Sequence, residues 1–337
     1  MRQATHNRTG SISLQTSPIF LFSLPRSGST LLQRMLACHS EIKTSSELWF
    51  LLPHIDAVRN RYSYSQFSYL SLRNATRDLI EQLPAGEDSY FSSIRLMADD
   101  IYRNLAINNE RYVLDKTPRY YLVLEEILKI YPDAKFIFLL RNPLSVAASI
   151  VESFNRGRLG DFRHRIDLYL GPGLLASGCE VMHDYSINVH FEELLRNTRP
   201  TLEKICSYLD IEFEGDMLNG FSKVPVASLG DQFGSREFTT IQANRIENWK
   251  QVFATSYRKK YLLKYMREIG EETFSRLGYD FDGLTEEVMS MDVAYSPGFR
   301  DRYDLARCSM WSVFEGMVFR DKLRRCRNGK NRQYLLH

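Results

Sequence analysis

Hydrophobic positions in this chain cluster in two short continuous runs, each followed at once by an arginine corner and a helical pattern. The first run is Ile19, Phe20, Leu21 and Phe22. A run this short, apolar on successive residues, suits a parallel strand covered on both faces. Pro25 cannot extend it, and Gly28 lets the backbone approach a ligand closely. Leu31, Leu32, Met35 and Leu36 then recur at helical spacing, with Ser27, Ser29 and Thr30 at the helix entry. The second run, Phe136–Leu140 within a strand expected over 135–140, leads into Arg141, Asn142 and Pro143, and proline suits a first helical turn. Arg141 and Ser149 stand eight residues apart, one at the strand end and the other about two turns into the helix.

The rest of the pattern fills in around these runs. Val113 and Leu114 form an apolar pair ahead of Lys116, residues 118–131 read as a helix, and 186–195 read as a short strand and a helix start. A further helix is expected around Pro200–Leu209. Residues 54–108 carry little strand signal and much helical pattern, with Ile94, Met97, Ile101 and Leu105 on one face. Tyr62, Tyr64, Phe67 and Tyr69 in that insertion are candidates for shaping a pocket, although core packing is the commoner fate of such residues. The fold class that follows is α/β, a P-loop-like parallel sheet flanked by helices, with a helical insertion and a helical C-terminal extension. The expected organisation is a loose polar segment at 1–17, a domain over 18–284 and an extension over 285–337.

The chemistry sits in the corners. The first amides of a helix lack intrahelical acceptors and suit an anion, and Arg26 adds a fixed multi-donor cation. An ordinary P-loop reads G-x-x-x-x-G-K-[ST]; here Ser23 replaces the first glycine and Ser29 the lysine. The missing lysine and the lack of an acidic Mg²⁺ partner weigh against a kinase or NTPase. A non-catalytic nucleotide-binding protein stays open as a third class.

PRSGSTLLQRML at 25–36 resembles the 5′-phosphosulfate loop of PAPS-dependent sulfotransferases, and VHFEELL at 189–195 resembles a V-x-Y/F-E-E-L-V pattern of the same family. The resemblance is closest to the tyrosylprotein sulfotransferases and related bacterial enzymes. It implies PAPS (3′-phosphoadenosine 5′-phosphosulfate) as sulfuryl donor, with no metal. Arg26, Ser27, Gly28, Ser29 and Thr30 would bind the phosphosulfate, and Arg141 and Ser149 the 3′-phosphate. In those enzymes a Glu about twenty residues after the loop Arg is the base, and a Lys follows a later strand. Glu47, 21 residues after Arg26, and Lys116 take those places, so Glu47, Lys116 and Arg26 are the implied catalytic residues. Ser46 stands where the tyrosylprotein enzymes carry a second Glu, so a peptide acceptor does not follow. The acceptor is expected to be hydroxylated, with an amine as alternative and a small molecule favoured. The resemblance also suggests a cofactor lid over 228–250, outlined by Gly230, Asp231 and Trp249, with Arg236 or Arg245 as unassigned phosphate contacts.

Composition narrows the setting. A net charge of +3 does not suggest a nucleic-acid partner. No apolar stretch reaches the ~18 residues of a membrane helix, and the first residues lack the apolar core of a secretory signal. Five cysteines with no C-x-x-C pair read as free thiols in a reducing cytoplasm. Near the C-terminus, Tyr303, Leu305, Met310, Trp311, Val313, Phe314, Met317 and Val318 precede a basic run from Arg320 to Arg332. That stretch reads as a helix packing back on the domain, with a homodimer contact or acceptor docking as alternatives.

Overall fold

The computed structural model describes residues 16–59, 69–160, 164–224 and 246–314. Five strands, β1 (Ser17–Phe22), β2 (Ile42–Thr44), β3 (Tyr112–Asp115), β4 (Lys135–Leu140) and β5 (Ser186–His190), form one sheet in the order β2-β3-β1-β4-β5. Every pairing is parallel: Phe20 lies opposite Asp115 of β3, Phe22 opposite Phe138 of β4, and Leu140 opposite His190 of β5. The expected parallel α/β architecture is therefore present.

Alternate residues of the central strands feed two cores. Phe20, Phe22, Phe136 and Phe138 face one side, where the Phe20 and Phe136 rings stack 5.9 Å apart. Ile19, Leu21, Ile137 and Leu139 face the other. Helix α1 (Ser29–Leu36) covers the second face. After the insertion helices α2 (Leu51–Arg59), α3 (Tyr69–Gln82) and α4 (Glu87–Leu105) come α5 (Leu124–Ile130) and α6 (Pro143–Ser153), which cover the first. The connections leaving β1 and β4 thus depart to opposite faces. That is the topological switch point, where open parallel sheets bind ligands beyond the strands' carboxyl ends.

Local chemistry accounts for the boundaries. Asn142 caps α6 by accepting from the Leu144 amide at 2.9 Å, and Pro143 occupies the first turn. After α7 (Gly171–Val181), β5 runs directly into α8 (Phe191–Arg196) and α9 (Thr198–Leu209).

Three expectations are adjusted. Residues 118–131 are not one helix: a 3-10 turn at Tyr120–Leu122 precedes α5, because Tyr120 and Tyr121 are buried with their hydroxyls tied to carboxylates. The deepest face of α4 is Phe91, Ile94, Ala98 and Tyr102, while Met97, Ile101 and Leu105 are half-buried. The period is as expected, but the helix is rotated so that Tyr102 reaches into the core. The boundary expected at 284/285 falls inside the helix Phe281–Ser290, whose Val288 is fully buried in the main core.

The last described helix, Phe299–Phe314, packs through Leu305 and an Asp301–Arg258 ion pair, and exposes Phe299, Tyr303 and Met310. Trp249 is buried in the short helix Asn248–Val252. Gly230, Asp231, Arg236, Arg245, Tyr62, Tyr64, Phe67, the Tyr69 side chain, Met317, Val318 and the basic run lie outside the described residues. Among the described residues, no helix is long and apolar enough to cross a membrane.

Candidate active site

The loop after β1 is built from left-handed backbone. Arg26 (φ 69°) and Gly28 (φ 88°) both have positive φ, and the Gly28 carbonyl accepts from the amides of Leu31 and Leu32 as α1 begins. Glycine is required at 28 for a second reason: a Cβ there would lie 2.1 Å from the Phe191 ring at the start of α8. The loop backbone is thereby pressed flat against that ring. The amides at the start of α1 have no intrahelical acceptor, and Ser27 and Ser23 carry buried hydroxyls with no hydrogen-bond partner among the described residues. Ser29 and Thr30 are buried beside them.

The second arginine corner closes on the first. Arg141 donates from Nη1 to the Arg26 carbonyl at 2.7 Å, and its guanidinium lies 4.6 Å from the Phe191 ring centroid. Arg26 donates from Nε to Ser149 Oγ at 3.2 Å, with its guanidinium 5.3 Å from the centroid of Phe154. Ser149, paired with Arg141 by sequence spacing, therefore meets Arg26. Glu192 fixes the corner from β5's side, accepting from the Asn142 amide at 3.0 Å and from the Tyr279 hydroxyl at 3.0 Å.

On the other side of β1, Glu47 and Lys116 meet. Lys116 Nζ lies 2.7 Å from Glu47 Oε1, with the two side chains only 1% and 5% exposed. The other oxygen, Oε2, accepts from the Trp49 indole N–H at 3.1 Å. Gln33 of α1 holds the approach to Glu47 by donating to Thr44 Oγ1 and the Ser45 carbonyl, both at 2.8 Å. A buried ion pair is expensive to desolvate, and leaving either partner alone is costly. Next to Lys116, Asp115 is fully buried and accepts from Tyr102 (2.8 Å), Tyr120 (3.0 Å) and Thr117 (3.2 Å). Burial pushes its carboxyl up to about 6, a rise limited by those hydrogen bonds and by Lys116.

A third carboxylate lies farther along. Asp167, in a π-helical turn at Ile166–Leu170, accepts from Arg119 (3.0 Å) and Tyr121 (2.5 Å) and pairs with His164 (3.2 Å). Burial raises its carboxyl, but hydrogen bonds from His164, Arg119 and Tyr121 outweigh that and hold it below the usual range. His164 stacks on Phe154 at 4.5 Å, the ring that also carries Arg26.

The nine residues that the sequence assigns to donor binding and catalysis lie beyond the carboxyl ends of β1 to β4 or in the helices that follow β1 and β4. Arg26, Arg141 and Ser149 are joined directly, as are Glu47 and Lys116. Asp115, Thr117 and Trp49 carry structure at the site without a role assigned from the sequence, and Phe191 and Glu192 enter there only within the VHFEELL segment. Their one signal is position: each lies within two residues of a quoted motif residue or a strand end.

A parallel sheet whose central strand feeds a loop of free helix-start amides, with arginines from two strand ends at the switch point, is the architecture of a P-loop-like α/β protein, and its loop has the donors that suit an anion. Residues 18–215 match the model of the sulfotransferase family, and with more than half its length matched the chain belongs to that family. It is 34% identical over 148 residues to nodulation protein NoeE of Sinorhizobium fredii, covering 41% of this chain and 33% of that protein. It is 24% identical over 213 residues to protein-tyrosine sulfotransferase A of Caenorhabditis elegans, covering 61% and 53%. The chain thus spans between a third and about a half of these relatives' lengths. Among solved structures it is similar to the sulfotransferase domain of the Synechococcus PCC 7002 olefin synthase, at 25% identity and a TM-score of 0.46, covering 71% of this chain and 90% of that one.

Proposed function

We propose that this protein transfers a sulfuryl group from PAPS to an acceptor hydroxyl, releasing adenosine 3′,5′-bisphosphate. The observation that carries the reading is the joining of the Arg26 loop to the Arg141 corner across the switch point, with the Glu47–Lys116 pair at the neighbouring strand ends. The loop suits a polyanion: two guanidiniums converge on it, buried Ser23 and Ser27 hydroxyls are left for a ligand, and Gly28 holds the backbone down.

Arg26, Ser27, Gly28, Ser29 and Thr30 would hold the phosphosulfate, and Arg141 and Ser149 the 3′-phosphate. Glu47 takes the acceptor's proton as the acceptor oxygen bonds to sulfur. The bridging S–O bond breaks and its electron pair leaves with the 5′-phosphate. Lys116 and Arg26 stabilise the charge that develops there. As in phosphoryl transfer, positioning and charge stabilisation supply most of the rate. The catalytic unit extends beyond 284 through the helix ending at Ser290, since Val288 belongs to its core. A hydroxylated small molecule is the favoured acceptor.

The test offers PAPS with separate pools of alcohols, phenols, sugars and tyrosine peptides. One pool should gain the mass of an SO₃ group with stoichiometric release of adenosine 3′,5′-bisphosphate. Failure to bind that bisphosphate by calorimetry without Mg²⁺ would overturn the reading.

A further inference from the structure

Glu47 and Lys116 sit in a frame that the corner contacts and the proton and charge roles given above leave unexplained. Trp49, two residues beyond Glu47, has a φ of 58°, which a side-chain-bearing residue seldom adopts. Something must hold it there, and the Trp49 amide donates to Thr117 Oγ1 at 3.2 Å. Thr117 has a single hydroxyl proton. It gives that proton to Asp115 Oδ1 at 3.2 Å, so toward Trp49 it can only accept. The other Asp115 oxygen is taken by Tyr102 of the helical insertion and by Tyr120. A directed chain therefore runs from the buried Asp115 through Thr117 to the Trp49 backbone. From there the Trp49 indole reaches Glu47 Oε2, while Lys116 reaches Oε1. With donors on both oxygens, the Glu47 carboxylate is held against rotation. Asp115, Lys116 and Thr117 are consecutive, so the same strand end sets both the cation and the base.

We propose that Thr117, Trp49 and Asp115 are positioning residues for sulfuryl transfer, acting by orienting the Glu47 carboxylate toward the acceptor. The inference rests on the reading of Glu47 as the base. A purely structural role would make Thr117 one more satisfied buried hydroxyl, and its loss would be felt in stability and ligand binding alike. A positioning role confines the loss to turnover, because about an ångström of misplacement is enough to cost on the order of a hundredfold.

The experiment uses the full chain with PAPS and the pooled alcohols, phenols, sugars and tyrosine peptides, and follows single-turnover release of adenosine 3′,5′-bisphosphate. Thr117→Val, which keeps the shape but removes the hydroxyl, should slow release about 10–100-fold. Its affinity for adenosine 3′,5′-bisphosphate should stay within about twofold of the parent. Thr117→Ser, which restores the hydroxyl, should return the rate to near the parental value. The Trp49 indole N–H resonance, assigned by its loss in Trp49→Phe, should move in Thr117→Val and return in Thr117→Ser. Trp49→Phe should slow release in the same direction, and it covers the case in which Thr117→Val does not fold. Parental rates in the folded Thr117→Val or Trp49→Phe enzyme, or a Thr117→Ser enzyme as slow as Thr117→Val, would overturn the proposal. Glu47→Gln separates the two failures. If it too releases product at the parental rate, the assignment of the base falls; if it alone is slow, only the positioning frame falls.

Discussion

Substituting Gly28→Ala tests the architecture of the anion loop, and its cost can be worked from two separate geometric facts. The first is the backbone: Gly28 sits at φ 88°, where an alanine pays a steric penalty of about 1–3 kcal/mol. The second is space. The new methyl would stand 2.1 Å from Phe191 Cε2 and 2.4 Å from Cδ2, more than an ångström inside ordinary contact. Phe191 is buried in the second core, with the Arg141 guanidinium 4.6 Å from its ring centroid, so the ring cannot simply swing aside. Overpacking of this kind costs about 1–3 kcal/mol. The two together give a loss of roughly 2–6 kcal/mol, a fall in melting temperature of about 3–8 °C for a chain of this size. Denaturant or thermal unfolding of the parent, Gly28→Ala, Phe191→Leu and the double variant closes a cycle. Phe191→Leu makes room for the methyl but leaves the backbone term, so a coupling of about 1–3 kcal/mol is expected. A Gly28→Ala protein as stable as the parent, or a cycle with no coupling, would refute the reasoning.

Replacing Arg26 or Arg141 by Ala should weaken adenosine 3′,5′-bisphosphate binding by roughly 2–5 kcal/mol in calorimetry, through loss of a charge-assisted contact to phosphate. Glu47→Gln should slow single-turnover transfer to an unactivated alcohol by about 10²–10⁴-fold while leaving bisphosphate affinity nearly constant. Lys116→Ala should slow transfer and also destabilise the fold by about 3–5 kcal/mol, because it leaves the Glu47 carboxylate buried without its 2.7 Å partner. Asp115, with its folded pKa raised to about 6, contributes stability that is fully present below its unfolded pKa and lost as pH rises through 6. Unfolding of Asp115→Asn in urea should therefore show the parent gaining up to about 3 kcal/mol on the variant between pH 7 and pH 4; an unchanged difference across that range would count against the raised value.

The amino-acid sequence by itself determined the two strand-and-corner units, because everything that defines them lies within a few residues. Short apolar runs demand burial on both faces, Pro25 and Asn142–Pro143 end the strands, and Gly28 permits the turn into α1. The helical period of 87–105 was legible for the same reason. Its phase was not, since Tyr102 turns inward to satisfy Asp115, a partner on another element. What tertiary structure alone decided are the contacts between units. Arg141 meets the Arg26 carbonyl across 115 residues, and Lys116 meets Glu47 across 69. Those meetings follow from the strand order β2-β3-β1-β4-β5, which sets β3 and β4 on either side of β1. Periodicity and capping are local and carry no record of strand order. That order comes from which faces can be buried together. Hence Gly28 is readable as a turn residue from the chain, but only the packing of Phe191 beneath it shows why no larger residue fits.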